Sequence, residues 1–275
     1  MKLKRLYSFK SNNQIWRILI SDTDKLLIET RNVNSKEVMF TCKEIFSGKS
    51  IFENLQLEEK FWIGIEGFYN DVIIFHKFAK PDMPGHKEII AFDSSTQNVL
   101  WKNEKLTFQF VFNNKVYSYI QLFDSREFFS LDLFTGELIE QFGEDYQKIN
   151  ELKKQAENNY PYKDYLFPLK YDATANGNIK KIIETLLSNI DIVGDVEYNV
   201  YNNLLLTNFY SKTNEENLMN KFYAIELNTG KEVFSTILNS NSNAFVPDSF
   251  FVYKSLLLML KEKNELLIYN LSEDN

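Results

Sequence analysis

A short pattern recurs along this chain of 275 residues: an apolar stretch, an acidic residue, two further residues, then Thr-Gly or a close substitute, then a second apolar stretch. Three copies carry Glu44 with Ser47-Gly48, Asp132 with Thr135-Gly136, and Glu226 with Thr229-Gly230; a degraded copy carries Asp93 with Thr96-Gln97. The turn positions Gly48, Gln97, Gly136 and Gly230 are separated by 49, 39 and 94 residues, the last interval being about one period plus an insertion. A period of roughly 40–50 residues is that of four-stranded propeller blades. In such a turn the acid caps backbone N–H groups and the glycine takes the left-handed conformation, so Glu44, Asp132 and Glu226 are read as structural rather than catalytic.

A second repeat runs alongside the first. Five apolar hairpins with polar turns span Trp16–Ile28, Trp62–Phe75, Phe108–Tyr119, Glu197–Thr207 and Phe250–Leu260. Asn113-Asn114 and Asn202-Asn203 mark tight turns, which need positive φ. Five hairpins predict five blades. The last repeat, Leu266 to Asn275, offers a third strand with Asn270 in the acidic position and no fourth strand. The unassigned apolar segment Leu3 to Phe9 would supply it and bring the two ends of the chain together, removing exposed strand edges. The expectation is an all-β, five-bladed β-propeller in one domain, residues 1–275, closed by an N-terminal strand. A helical and loop insertion around residues 143–195 lies between the third and fourth blades. Within it, 144–157 reads as a polar helix and 178–189 as an amphipathic one, with Ile179, Ile182, Ile183, Leu186 and Leu187 on one face. The aromatic, proline-containing run Tyr160 to Pro168 reads as an ordered loop or short extended piece, either a partner contact or buried where the insertion docks.

Composition narrows the function classes. Aromatics make up 15%, with 24 Phe and 15 Tyr, which favours sheet. Only 9 Gly and 5 Pro are present, so Asn and Asp serve many turns. A net charge of −7 argues against a phosphate-backbone partner, and the cluster Lys2, Lys4, Arg5 reads as a solvated end. The lone cysteine, Cys42, excludes an intrachain disulfide and a multi-cysteine metal site, and its strand position predicts a buried, inert thiol. The N-terminus has no signal-like apolar stretch, and Ser255 to Leu260 is too short to span a bilayer. The expectation is a cytoplasmic protein with no membrane and no nucleic-acid partner.

The pattern apolar-x-Asp-x-x-Thr-Gly-x-x-x-aromatic, met here at Asp93 with Trp101, Asp132 with Gly136 and Glu226 with Gly230, resembles the repeat of quinoprotein-like propellers. The whole chain, through the segment Gly194 to Tyr210, also resembles an uncharacterised bacterial family catalogued as domain of unknown function 4905. The first resemblance implies blade structure. Quinone-binding propellers are larger, exported and often carry adjacent cysteines, so it implies no cofactor here.

Candidate site residues follow from the innermost strands. The polar positions there, or just before them, are Arg17, Glu66, Gln109, Asp195, Glu197, Asp248 and Ser249. These predict a polar channel lining that binds a small polar ligand or a protein at the channel mouth, without catalysis. The alternative is an enzyme acting on a sugar, which needs two carboxylates roughly 5 to 10 Å apart, drawn from Glu66, Glu197, Asp195 and Asp248. The only histidines, His76 in a strand and His86 in a presumed loop, are ten residues apart. That is no recognised ligand spacing, and a metal would need Asp82 or Glu88 as well; no metal and no cofactor are expected.

Overall fold

The computed structural model describes residues 3–80, 83–159, 162–172, 177–213 and 217–272. The chain divides into two compact units, Asn13–Pro161 and Met1–Asn12 with Tyr162–Asn275. In chain order, β1 (Lys4–Lys10) is followed by three four-stranded antiparallel sheets. These are β2 (Gln14–Ile20), β3 (Lys25–Arg31), β4 (Val38–Glu44) and β5 (Ser50–Leu55); β6 (Ile63–Tyr69), β7 (Val72–Lys80), β8 (Met83–Asp93) and β9 (Asn98–Asn103); and β10 (Thr107–Phe112), β11 (Lys115–Gln121), β12 (Arg126–Asp132) and β13 (Leu138–Gly143). Then come α1 (Tyr146–Asn159), β14 (Tyr165–Leu166), β15 (Leu169–Lys170) and α2 (Gly177–Leu187). The chain ends with β16 (Ile192–Tyr201), β17 (Leu204–Lys212), β18 (Leu218–Glu226), β19 (Glu232–Ser242), β20 (Phe250–Tyr253), β21 (Leu256–Lys261) and β22 (Glu265–Asn270). Among the described residues there are five separate sheets, the last two ordered β15-β16-β17-β18-β19 and β1-β22-β21-β20-β14.

The local chemistry of the repeat explains the strand order. Asn113 and Asn114 take φ of 50° and 57° at the β10–β11 turn, and Asn70 and Asp71 take 44° and 67° at the β6–β7 turn, the left-handed pair that a two-residue hairpin needs. At the acidic turns, the backbone N–H of Gly48, Gln97, Gly136 and Gly230 donates to the carbonyl of Glu44, Asp93, Asp132 and Glu226. Each of these four residues has positive φ, between 57° and 73°. The side chain caps the turn only where it is short. Asp132 Oδ1 accepts from the N–H groups of Phe134 and Thr135 at 2.9 and 2.8 Å, and Asp93 Oδ1 from Ser95 and Thr96 at 2.7 and 3.0 Å. Glu226, one methylene longer, instead accepts from the Thr229 hydroxyl at 2.6 Å. Asn270 repeats the motif in the final sheet, accepting from Ser272 N–H at 3.0 Å.

Packing joins neighbouring sheets inside each unit. Alternation along β7 sends Ile73 and Phe75 toward Leu27, Phe40 and Phe52 of the first sheet, and Val72 and Ile74 toward Val116, Phe129 and Leu131 of the third. Trp101 of β9 lies against the acidic turn of the next sheet: its Nε1–H donates to the Leu133 carbonyl at 2.9 Å. Only a glycine fits beneath the ring, since a Cβ at Gly136 would come 2.7 Å from the indole. In the other unit, Leu204, Leu206 and Phe222 pack on Phe250, Val252, Leu257 and Met259. There β1 pairs antiparallel with β22, Lys4 opposite Asn270 and Lys10 opposite Glu265, which is the pairing of chain ends that the sequence predicts.

The region 143–195 departs from expectation. Its two helices form: α1 is capped by Asp145, whose side chain accepts from Lys148 N–H at 3.0 Å, and buries Ile149 against Phe110, Tyr117 and Phe128. Helix α2 buries Ile183 against Leu205, Phe209 and Ile225. The region is not free of strand, however. β14 adds to β20, β15 adds to β16, and β16 itself begins at Ile192, so the insertion covers two sheet edges. In the aromatic run, Tyr165 packs within 4.8 Å of Tyr253 while Phe167 stays half exposed; Tyr160 and Pro161 lie outside the described residues.

Candidate functional site

The second sheet gathers the chain's two histidines. His76 lies on β7 and His86 on β8, in a strand rather than the loop that Pro84 and Gly85 suggest. The β7–β8 register pairs Phe78 with His86 and Lys77 with Lys87, so the ten-residue separation becomes a diagonal neighbour. The two imidazoles stack with centroids 3.5 Å apart and planes 10° from parallel, and Phe78 meets both edge-on at 4.9 and 5.5 Å. The third member comes from β6. Between Ile65 and Gly67 the register with β7 shifts by one residue, and Glu66 is the extra residue. A bulge of this kind re-aims a side chain. Glu66 Oε1 lies 2.7 Å from His86 Nδ1 and 3.0 Å from His76 Nδ1.

Each member sits in a different environment. His76 is 2% exposed; its Nδ1 lies 3.0 Å from Glu66 Oε1, and its Nε2 has no hydrogen-bond partner among the described residues. A Cβ at Gly64, which pairs with His76, would come 2.9 Å from that ring, so the absent side chain makes room for the imidazole. Burial works to raise the Glu66 carboxyl pKa, but the two imidazoles outweigh it and hold it below the usual carboxylate range. One ligand atom from each residue lies within 4.8 Å of the others, giving a His, His, carboxylate donor set. Of the further ligands that sequence suggested, Glu88 pairs with Lys77 at 2.9 Å instead, and Asp82 lies outside the described residues. A sequence signal did exist: glycines at 64 and 67 inside one strand mark a bulge or a close approach.

The other predicted site residues are distributed as follows. Arg17, exposed on β2, donates to the Ile65 carbonyl. Gln109 occupies a β10 bulge equivalent to that of Glu66, and its Oε1 is buried without a partner among the described residues. Asp195 is ion-paired to Lys170 at 2.7 Å. Glu197 is half-buried. Burial raises its carboxyl pKa, a hydrogen bond from Asn208 partly offsets this, and the charges of Asp248 and Asp195 add to the rise. Asp195, Glu197 and Asp248 therefore share one neighbourhood in the same unit. Glu66 and Asp195, two of the four acids considered for sugar chemistry, are engaged by histidine and lysine, and nothing in their geometry supports that chemistry.

That unit also carries a buried polar array. Asn208 Nδ2 donates to Asn220 Oδ1 at 3.3 Å, and Asn220 Nδ2 donates to Ser249 Oγ at 3.0 Å. Asn239, opposite Asn220 in the β18–β19 register, is 2% exposed, and its Nδ2 has no partner among the described residues. Asn239 lines a pocket of about 410 Å³ together with Asn217, Asn241, Asn243, Ser242, Glu262 and Lys263. Sequence reading missed this pocket because its asparagines look like ordinary turn residues. The thiol of Cys42 is buried, and that burial pushes its pKa up to about 12. No helix among the described residues is long and apolar enough to cross a membrane.

Residues 20–101 match the family described as domain of unknown function DUF4905. The match falls on the first two sheets, not on the segment Gly194 to Tyr210 that carried the resemblance in sequence. No curated protein matches. Solved structures similar to this chain include a europium-containing methanol dehydrogenase, at 12% identity and TM-score 0.30, covering 95% of this chain and 52% of that one. The Dos1 propeller gives 13% identity and TM-score 0.32, covering 94% and 68%. A eukaryotic initiation factor gives 7% identity and TM-score 0.35, covering 94% and 52%. The chain thus spans about half the length of the first and the third. At these scores the likenesses carry no argument about what the chain binds.

Proposed function

We propose that this chain is a non-catalytic β-propeller, its five sheets being the blades, and that it binds a small polar ligand in the asparagine-lined pocket. The observation that carries the reading is the buried Asn239 amide. An N–H group without a partner is costly to bury, and a ligand oxygen entering the pocket would satisfy it. Asparagine amides offer both donors and acceptors, which suits a ligand rich in hydroxyl or carbonyl groups. Every lining residue is polar, so affinity would come mainly from hydrogen-bond matching rather than apolar burial.

Saturation-transfer NMR with a panel of monosaccharides, polyols and free amino acids tests this. The expected result is saturation of one chemical class by the wild-type protein and its loss in Asn239→Ala. No saturation across the panel, or undiminished saturation in the variant, would overturn the reading.

A further inference from the structure

The strongest unexplained constellation lies in the other unit. Glu66, His76 and His86 come from three consecutive strands, and one donor atom of each lies within 4.8 Å of the others. Three unusual local features converge on it: the bulge that re-aims Glu66, the glycine that admits the His76 ring, and the edge-on Phe78 that holds both imidazoles. Folding stability alone gives no reason for this arrangement. It buries an imidazole whose Nε2 has no hydrogen-bond partner among the described residues and stacks it on a second one.

We propose that Glu66, His76 and His86 bind a divalent transition-metal ion, with zinc as the type case, through three protein donors and one open coordination position. The donor spacing is close to that of a metal shell. Bonds of about 2.0–2.2 Å in a tetrahedral shell place neighbouring donors about 3.3 Å apart; the carboxylate oxygen here lies 2.7 and 3.0 Å from the two Nδ1 atoms, so an ion would draw these donors apart by about 0.3–0.6 Å and tilt the near-parallel imidazoles toward it. The donor chemistry fits as well. Two imidazoles and a carboxylate suit zinc, iron, cobalt or nickel, whereas magnesium and calcium take oxygen shells.

The surrounding charges leave room for a cation. Arg31, which stacks over Trp16 and Phe78, is paired to Glu29 at 2.6 Å, and Lys77 is paired to Glu88 at 2.9 Å. Both of these cations are thus paired to carboxylates, a third, Arg17, is held by the Ile65 carbonyl, and Glu66 is left as counter-charge to the ion. His76 is buried while His86 is 36% exposed at its side chain, so the open position lies toward solvent, where water or a ligand group can enter.

The chain has only two histidines, which makes the test direct. The intact protein, stripped with a chelator and desalted, is titrated with zinc chloride while its imidazole nitrogens are followed by ¹H–¹⁵N NMR and binding by calorimetry. One zinc per chain is expected, with both sets of imidazole signals shifting together. His86→Ala and Glu66→Gln should each weaken binding by at least about 100-fold, since even outer-shell changes cost 10–100-fold. Zinc that leaves either imidazole unshifted, or binds the two variants as tightly as the wild type, would overturn the proposal. The wild-type NMR result decides the matter even if a variant fails to fold.

Discussion

Replacing Gly136 by alanine tests how one sheet is held to the next. Two costs add. The residue sits at φ +73°, where a side chain is strained by about 1 kcal/mol. The new Cβ would also lie 2.7 Å from Cγ and Cδ2 of Trp101, and 3.1 Å from its Cβ. Either the sheets separate or the indole swings out and loses its bond to the Leu133 carbonyl, and overpacking of this kind costs about 1–3 kcal/mol. The total expected is about 2–4 kcal/mol. Gly143→Ala is the control: it belongs to the same unit and has φ +56°, but its Cβ would meet nothing within 4 Å, so it should lose only about 1 kcal/mol. Urea unfolding followed by far-ultraviolet circular dichroism, with linear extrapolation, measures both. Equal losses for the two variants would show that Trp101 does not wedge the sheets together. Trp101→Ala in the Gly136→Ala background should then recover no stability, whereas the structure predicts a positive coupling.

Two further outcomes follow from titratable groups. Glu197 has a raised carboxyl pKa, so its folded form favours the proton. Its contribution is fully present below the unfolded pKa and is lost as pH rises through the folded value. Glu197→Gln should therefore be more stable than wild type at neutral pH, by a few tenths of a kcal/mol after allowing for solvent screening, and the advantage should vanish in acid. A pH series of urea midpoints checks this, and an advantage that grows in acid would contradict it. Cys42, fully buried with its thiol pKa at about 12, should resist a thiol reagent such as dithionitrobenzoate in the native protein and react at once in denaturant. Native reactivity at the rate of a free thiol would contradict the packing around it.

The parts of this structure legible in the sequence are those with a local chemical cause. The acidic turns show because Asp132 and Gly136 must stand four residues apart to close them, and the β10–β11 hairpin shows because Asn113 and Asn114 tolerate positive φ. β1 is legible by elimination, as an apolar segment without a partner facing a final sheet short of one strand. What stayed hidden depends on register. β14 and β15 are two residues each and owe their conformation to the sheets they join. Glu66 owes its direction to a bulge, which simple alternation does not anticipate. His86 reads as loop because Pro84 and Gly85 precede it, yet pairing with Phe78 keeps it in a strand. The site is therefore hidden although each of its residues stands out singly in the sequence. Of the polar candidates, Asp195 reads as a residue just before an inner strand but lies within β16 and pairs with Lys170, and Arg17 lies on β2 and donates to the Ile65 carbonyl.

The whole scheme of repeats rests on the last sheet borrowing its outer strand from the start of the chain. Hydrogen–deuterium exchange of the peptide covering residues 3–10, read beside that covering 265–270, tests this most directly. As an edge strand paired on one side only, β1 should show slow exchange at about every second amide, while β22, flanked by β1 and β21, should be protected throughout. Complete exchange of residues 3–10 within seconds would show that the strand is not held, and would contradict the account.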